Sequence, residues 1–110
     1  MHLKGLPFGV TNWSQIPESV HPGASGTAMV RSRQLGDIQL RLVVYSPNYV
    51  ADHWCHKGHI VFVILGQLTI EHRETLTYTL ESGTSYHVAD DDGPPHRVLS
   101  ENGATIFIVD

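Results

Sequence analysis

The chain has 110 residues, 41% hydrophobic and 16% charged, with a formal net charge of -4. That length accommodates one domain with a modest core and excludes a second. The seven lysines and arginines are scattered, which argues against nucleic acid as a partner, and the longest apolar run, Ile60–Leu65, is far too short to span a bilayer.

A sole cysteine, Cys55, excludes an internal disulfide, and "MHLKGLPFGV" lacks the apolar core of a secretory signal; a cytoplasmic protein is expected. Residues 1–26 contain three of the six prolines and have neither helical nor strand periodicity. They read as an extended N-terminal arm over the domain, with Phe8, Trp13 and Ile16 as anchors. From residue 27 to residue 110 the apolar pattern has period two, that of half-buried strands in a single domain. In "GDIQLRLVVYSP", Ile38, Leu40, Leu42 and Val44 share one face, with Gln39, Arg41, Val43 and Tyr45 on the other. "HIVFVILGQLTIEHR" predicts two strands meeting in a turn at Gly66-Gln67, where glycine takes positive φ at little cost. The strands "ETLTYTLESG", "TSYHVA", "HRVLS" and "ATIFIVD" follow, with an acidic loop, "DDDGPP", before "HRVLS". Short strands closed by Gly, Pro, Asn or Asp turns predict an all-β fold, an antiparallel sandwich or small barrel.

The stretch "ADHWCHKGHI", residues 51–60, stands out against this background. His53 and Cys55 are two apart, so on extended backbone both side chains point the same way. His59 follows Lys57-Gly58, where the chain can turn, and opens the next strand. His96 heads another strand, its approach stiffened by Pro94 and Pro95. Imidazole and thiolate suit zinc, iron, nickel or cobalt, whereas magnesium and calcium want oxygen ligands. A polar turn with a buried cysteine accounts for the first three residues equally well; His96 and the strand pattern tip the balance toward a metal site. His56 has the wrong parity and is the reserve ligand for a register slip.

In its spacing "HWCHKGHIVFVILG" resembles the first of two motifs of the cupin superfamily, G-x5-H-x-H-x3(or 4)-E-x6-G, with His53, Cys55, His59 and Gly66 at its two histidines, glutamate and closing glycine. "GTSYHVADDDGPPHRVLS" is similar to the second, G-x5-P-x-G-x2-H-x3-N, with Gly83 opening it and His96 as its histidine. The likeness covers roughly residues 30–110. Cys55 and His59 depart from the pattern, replacing histidine and glutamate; Pro47 stands for the first glycine and Ser100 for the asparagine. The second motif is also two residues longer between Gly83 and His96. "YSPNYVADHWCHKGHI", "PHRV" and "GATIFIVD" look most like bacterial cupins labelled DHCW-motif proteins, whose letters match Asp52, His53, Trp54 and Cys55 in another order. That group brings no activity with it.

The resemblance implies a cupin-type antiparallel β-barrel, or jelly roll, behind the arm. It carries metal-ligand roles to His53, Cys55, His59 and His96, for a divalent transition metal with zinc ahead of iron or nickel. It also implies a small-molecule ligand in the cup and a homodimer. The expected function is a metal-dependent enzyme, dioxygenase- or isomerase-like. The alternatives are a cup that binds or senses a small molecule without turnover, and a zinc that only stabilises the barrel.

Around the cluster, Asp52 can orient an imidazole or be a solvated strand end. Trp54 faces away from His53 and Cys55 and reads as packing. Arg41, Tyr45, Tyr78 and Arg97 are candidates to line the cup and meet an anionic substrate. His72 and His87, far along strands, read as structural or surface residues, and Asp90, Asp91 and Asp92 as a solvated loop. Cys55 as a nucleophile ranks lower, because no Gly-rich oxyanion signature and no second cysteine accompany it.

Overall fold

The computed structural model describes residues 3–91 and 93–110; His2 of the arm and Asp92 of the acidic loop lie outside the described residues. A 3-10 turn at Trp13–Gln15 precedes nine strands: β1 (Ser19–Pro22), β2 (Thr27–Leu35), β3 (Ile38–Tyr45), β4 (Tyr49–Val50), β5 (His59–His72), β6 (Thr77–Glu81), β7 (Ser85–Val88), β8 (His96–Ser100) and β9 (Ala104–Val109). All pairings are antiparallel, in the order β1-β2-β3-β9-β5-β8-β4, with β6 and β7 also on β5. This curled arrangement is a jelly roll.

The arrangement hinges on β5. The sequence predicts a turn at Gly66-Gln67, but the chain continues through it as one strand of 14 residues. Ile64 is an extra residue between the pairs Val63↔Ile106 and Leu65↔Thr105, a β-bulge, and Gly66 follows at φ 79°. A Cβ on Gly66 would run into the Gly103 carbonyl oxygen, so glycine permits both the left-handed backbone and the close approach. At the bulge the strand passes from β7 and β9 to β6 and β8. The extra residue also reverses parity: the inward side chains are His59, Val61 and Val63 before it, and Leu68, Ile70 and His72 after it.

Both halves of β5 feed one core. Val43, Ile106 and Val63 lie in register across β3, β9 and β5, and Leu68, Ile70 and Leu80 close the other side. Val63, Leu68 and Ile106 are completely buried, each stabilising the fold by about 1.5–3 kcal/mol relative to exposure. The inward face of β3 is therefore that of Arg41, Val43 and Tyr45, and Val44 faces out.

Part of the N-terminal segment joins the sheet, since Ser19–Pro22 pairs with the first half of β2. All four of its residues are exposed, so no apolar alternation marks it as a strand. Trp13 meets Phe107 edge-on at 6.0 Å between ring centroids, and its carbonyl accepts from Arg31 Nη1 at 2.7 Å. Phe8, expected as an anchor, is fully exposed.

Candidate metal centre

Backbone hydrogen bonds clamp Cys55 opposite His96. The Cys55 N–H donates to the His96 carbonyl at 2.7 Å, and the His96 N–H returns to the Cys55 carbonyl at 3.0 Å. The chain then doubles back: the Lys57 N–H donates to Cys55 Sγ at 3.3 Å, and the Gly58 N–H to Asp90 Oδ1 at 2.7 Å. Gly58 lies so close to the next loop that a Cβ would come within 2.7 Å of the Asp90 nitrogen and 2.9 Å of the Val88 oxygen. This close approach brings His59, the first residue of β5, back to Cys55, with Nε2 3.5 Å from Sγ. One donor atom each from Cys55, His59 and His96 thus lies within 4.8 Å of the others. Three ligands about 2.0–2.3 Å from a common ion need such a spacing. Because the atoms facing Gly58 are backbone, Gly58→Ala should cost about 1–3 kcal/mol, read as a lower urea midpoint at unchanged slope.

The electrostatics prepare these donors. His96 is 4% exposed, and its Nε2 is buried without a hydrogen-bond partner among the described residues. Burial, followed by the nearby His59, His72 and His56, pushes its pKa down to about 4, so the ring is neutral at pH 7. Burial also lowers the pKa of His59, against the opposing pull of Asp110. Asp110 Oδ2 accepts from His59 Nδ1 at 2.9 Å and from Arg41 Nη2 at 2.6 Å, and its side chain is 1% exposed. With Nδ1–H donating to a carboxylate, a neutral His59 carries its lone pair on Nε2, beside the sulfur. A sulfur, a lone pair and an unpartnered buried imidazole nitrogen converge here. Such a donor set fits a divalent transition metal.

The structure brings together Cys55, His59 and His96 and leaves His53 apart. The His53 side chain is 74% exposed and held to Asp52 Oδ1 at 2.7 Å, at the rim of the cavity. That hydrogen bond lowers the Asp52 pKa. Residues 52 and 53 form a bend rather than a strand, so the shared direction expected of positions two apart does not apply to them. His56 and His87 are exposed. Two neighbours of the donors have no part in the site as read from the sequence, where His72 reads as structural or surface and Asp110 is not singled out. His72 faces His96 across the β5–β8 pair and has its Nε2 2.7 Å from the Tyr86 hydroxyl. Asp110 extends the inward series Ala104, Ile106, Ile108 by one more step, and that alternation was the signal available for it.

A cavity of about 610 Å³ adjoins the three donors, with Arg41, Tyr45 and Tyr86 on its wall. Arg97 reaches the rim but is engaged elsewhere, stacked 4.6 Å over Trp54 and paired with Glu71 at 3.2 Å. Tyr78 packs edge-on against the His72 ring at 5.0 Å. Among the described residues, no helix is long and apolar enough to cross a membrane.

A jelly roll carrying a Cys-His-His group at the mouth of a cavity defines a class of small barrel with room for a metal and a small molecule. At the level of sequence, no family model and no curated protein matches the chain. Solved structures do match. Ectoine synthase from P. lautus superposes with a TM-score of 0.72 at 17% identity, over 93% of this chain and 76% of that one. An RmlC-like cupin from Shewanella frigidimarina gives 0.70 at 12% identity, over 96% of this chain and 91% of that one. A sugar phosphate isomerase of the cupin superfamily from Silicibacter pomeroyi gives 0.70 at 16% identity, over 92% and 74%. The fold of this chain is that of a small cupin.

Proposed function

We propose that this cupin is a metal-dependent protein acting on a small molecule, with Cys55, His59 and His96 holding a divalent transition metal, zinc ahead of iron or nickel. The observation that carries the reading is the convergence of three donors within 4.8 Å, one of them on a histidine with a buried, unpartnered nitrogen. One thiolate with imidazoles favours zinc. Three protein ligands leave a tetrahedral shell one short, as in catalytic rather than structural sites, and a cavity adjoins them. His53 is the candidate for a fourth ligand, and would have to leave Asp52 to serve.

Bound there, the metal would supply Lewis-acid polarisation of a substrate oxygen. Proton transfer falls to the chain itself. The Tyr86 hydroxyl lies on the cavity wall and is hydrogen-bonded to His72, a pair through which a proton can be delivered or taken up. Such a pair beside a zinc site favours an isomerase-like reaction over a dioxygenase-like one, since zinc has no redox chemistry. One structural neighbour bears the name sugar phosphate isomerase. A cup that binds without turnover is the second reading, favoured by the partly exposed apolar residues Val30 and Val98 on its wall. A cytoplasmic setting suits a site that needs Cys55 reduced.

Chelator-stripped protein titrated with cobalt(II) should develop a thiolate-to-metal absorption band that zinc then displaces. A wild type that takes up neither cobalt, zinc, iron nor nickel overturns the reading.

The proposal extends to a homodimer through the outer face of β3, β9 and β5. Leu42, Phe107 and Phe62 lie in one row there, and Ile60, Phe62 and Ile64 are each at least 40% exposed. An apolar face of this kind calls for a cover. Phe62→Lys should convert a dimer into a monomer in sedimentation velocity; a wild type already monomeric at micromolar concentration refutes the pairing.

A further inference from the structure

We infer that the N-terminal arm is exchanged between two copies of this chain, with Leu6, Phe8 and Val10 of one copy packed on the other. The inference rests on the pairing through the sheet face proposed above and names what covers that face.

The arm is inverted for a chain on its own. Leu6, Phe8 and Val10 alternate with Pro7, Gly9 and Thr11, the period-two pattern of a strand with one apolar face. That face points to solvent. Phe8 is 101% exposed and Val10 91%, with Leu6 exposed as well, whereas Thr11 and Trp13, of the opposite parity, are half-buried. Phe8, Gly9, Val10 and Thr11 form no backbone hydrogen bond among the described residues. The segment is nonetheless held at both ends. Trp13 packs on Phe107 and is bonded by Arg31, and the Gly5 carbonyl lies 3.7 Å from where a Cβ on Gly36 would stand, beside the β2–β3 turn. A docked segment that turns its apolar row to water is costly until something covers it.

A second copy is the cover these surfaces fit. Phe107, on which Trp13 docks, stands outward on β9 in the row of Leu42 and Phe62, so the arm and the apolar sheet face are continuous. Ile60, Phe62 and Ile64 repeat at the same two-residue spacing as Leu6, Phe8 and Val10. Each row is about 14 Å long on extended backbone, so three apolar side chains meet three. The two rows, with Val44 and Leu65, amount to roughly 800 Å² of exposed surface on one copy, which is what a standard interface takes from each partner. Each copy offers both an arm and a face, so the contact is self-complementary and closes at two.

Sedimentation velocity on the full chain tests this, with the double variant Phe8→Ser, Val10→Ser run beside Phe62→Lys. The arm variant should dimerise about 100-fold or more weakly than wild type, since symmetry removes the aromatic anchor twice. Diluted to monomer, it should melt with the wild type, because both side chains are exposed within their own chain. Benzoylphenylalanine in place of Phe8 should cross-link to residues 60–65 of an isotope-labelled partner in mixed samples. An arm variant that dimerises as tightly as wild type overturns the exchange; if Phe62→Lys is monomeric in the same series, the sheet-face pairing stands without it. Cross-links confined to a single chain overturn the exchange as well. A wild type that stays monomeric, whether free or bound to phosphatidylcholine vesicles, overturns the exchange and the pairing together.

Discussion

Cys55→Ser and His96→Ala should each lower zinc affinity by about 100-fold or more, beyond the 10–100-fold typical of groups that only support a ligand. Competition with a chromophoric chelator measures this directly. The serine variant is nearly isosteric, but its oxygen is a harder donor that stays protonated near neutral pH, so zinc loses a thiolate bond. His96→Ala removes the ring whose Nε2 is buried and unpartnered, and opens a gap behind Cys55. On the proposed reading zinc binds the folded form, so its addition should raise the melting temperature of the wild type and leave both variants unmoved. His53→Ala is the internal contrast. With a side chain 74% exposed and paired to Asp52, its removal should cost less than about tenfold in affinity. A loss matching that of Cys55→Ser would instead place His53 in the shell.

The contrast between His53 and His59 shows where sequence reasoning works and where it stops. Period-two alternation found β3 and β6 to β9, whose two faces differ in exposure, and the local spacing of Cys55 and His59 survives into space. Alternation says nothing about a strand exposed on both faces, so β1 was invisible. The positive φ at Gly66 was anticipated, but a bulge and a hairpin turn both use it. Only the pairing of β9 along β5 distinguishes them, and that is a long-range fact. The consequence reaches the site, since the parity reversal at Ile64 turns His72 inward opposite His96. His53 went the other way: its shared direction with Cys55 presumed extended backbone, and the chain bends at residues 52 and 53. Arg41, Tyr45 and Arg97, named from the sequence to line the cup, do reach the cavity, whereas Tyr86 could be placed there only once the barrel had closed.

Asp110→Asn should reduce zinc affinity by about 10–100-fold although residue 110 donates no metal ligand. The carboxylate takes Nδ1–H from His59 and thereby keeps the lone pair on Nε2, beside Cys55 Sγ. An amide offers that histidine either its oxygen, which can accept from both His59 and Arg41 but without the negative charge, or its NH2. If the NH2 group takes the place of Oδ2, it faces Nδ1 and selects the other tautomer, which puts a proton on Nε2. The substitution also removes the charge opposite a guanidinium that is only about a quarter exposed. Breaking a buried pair from one side costs about 3–5 kcal/mol, and the residual water contact of Arg41 reduces this to about 2–3 kcal/mol. Urea unfolding of the metal-free variant reads that stability loss, and chelator competition reads the affinity loss. The two must be compared, because a merely structural role predicts the first without the second. Equal zinc affinity in Asp110→Asn and wild type, at reduced stability, would reduce Asp110 to a counter-ion for Arg41 and remove it from the metal centre.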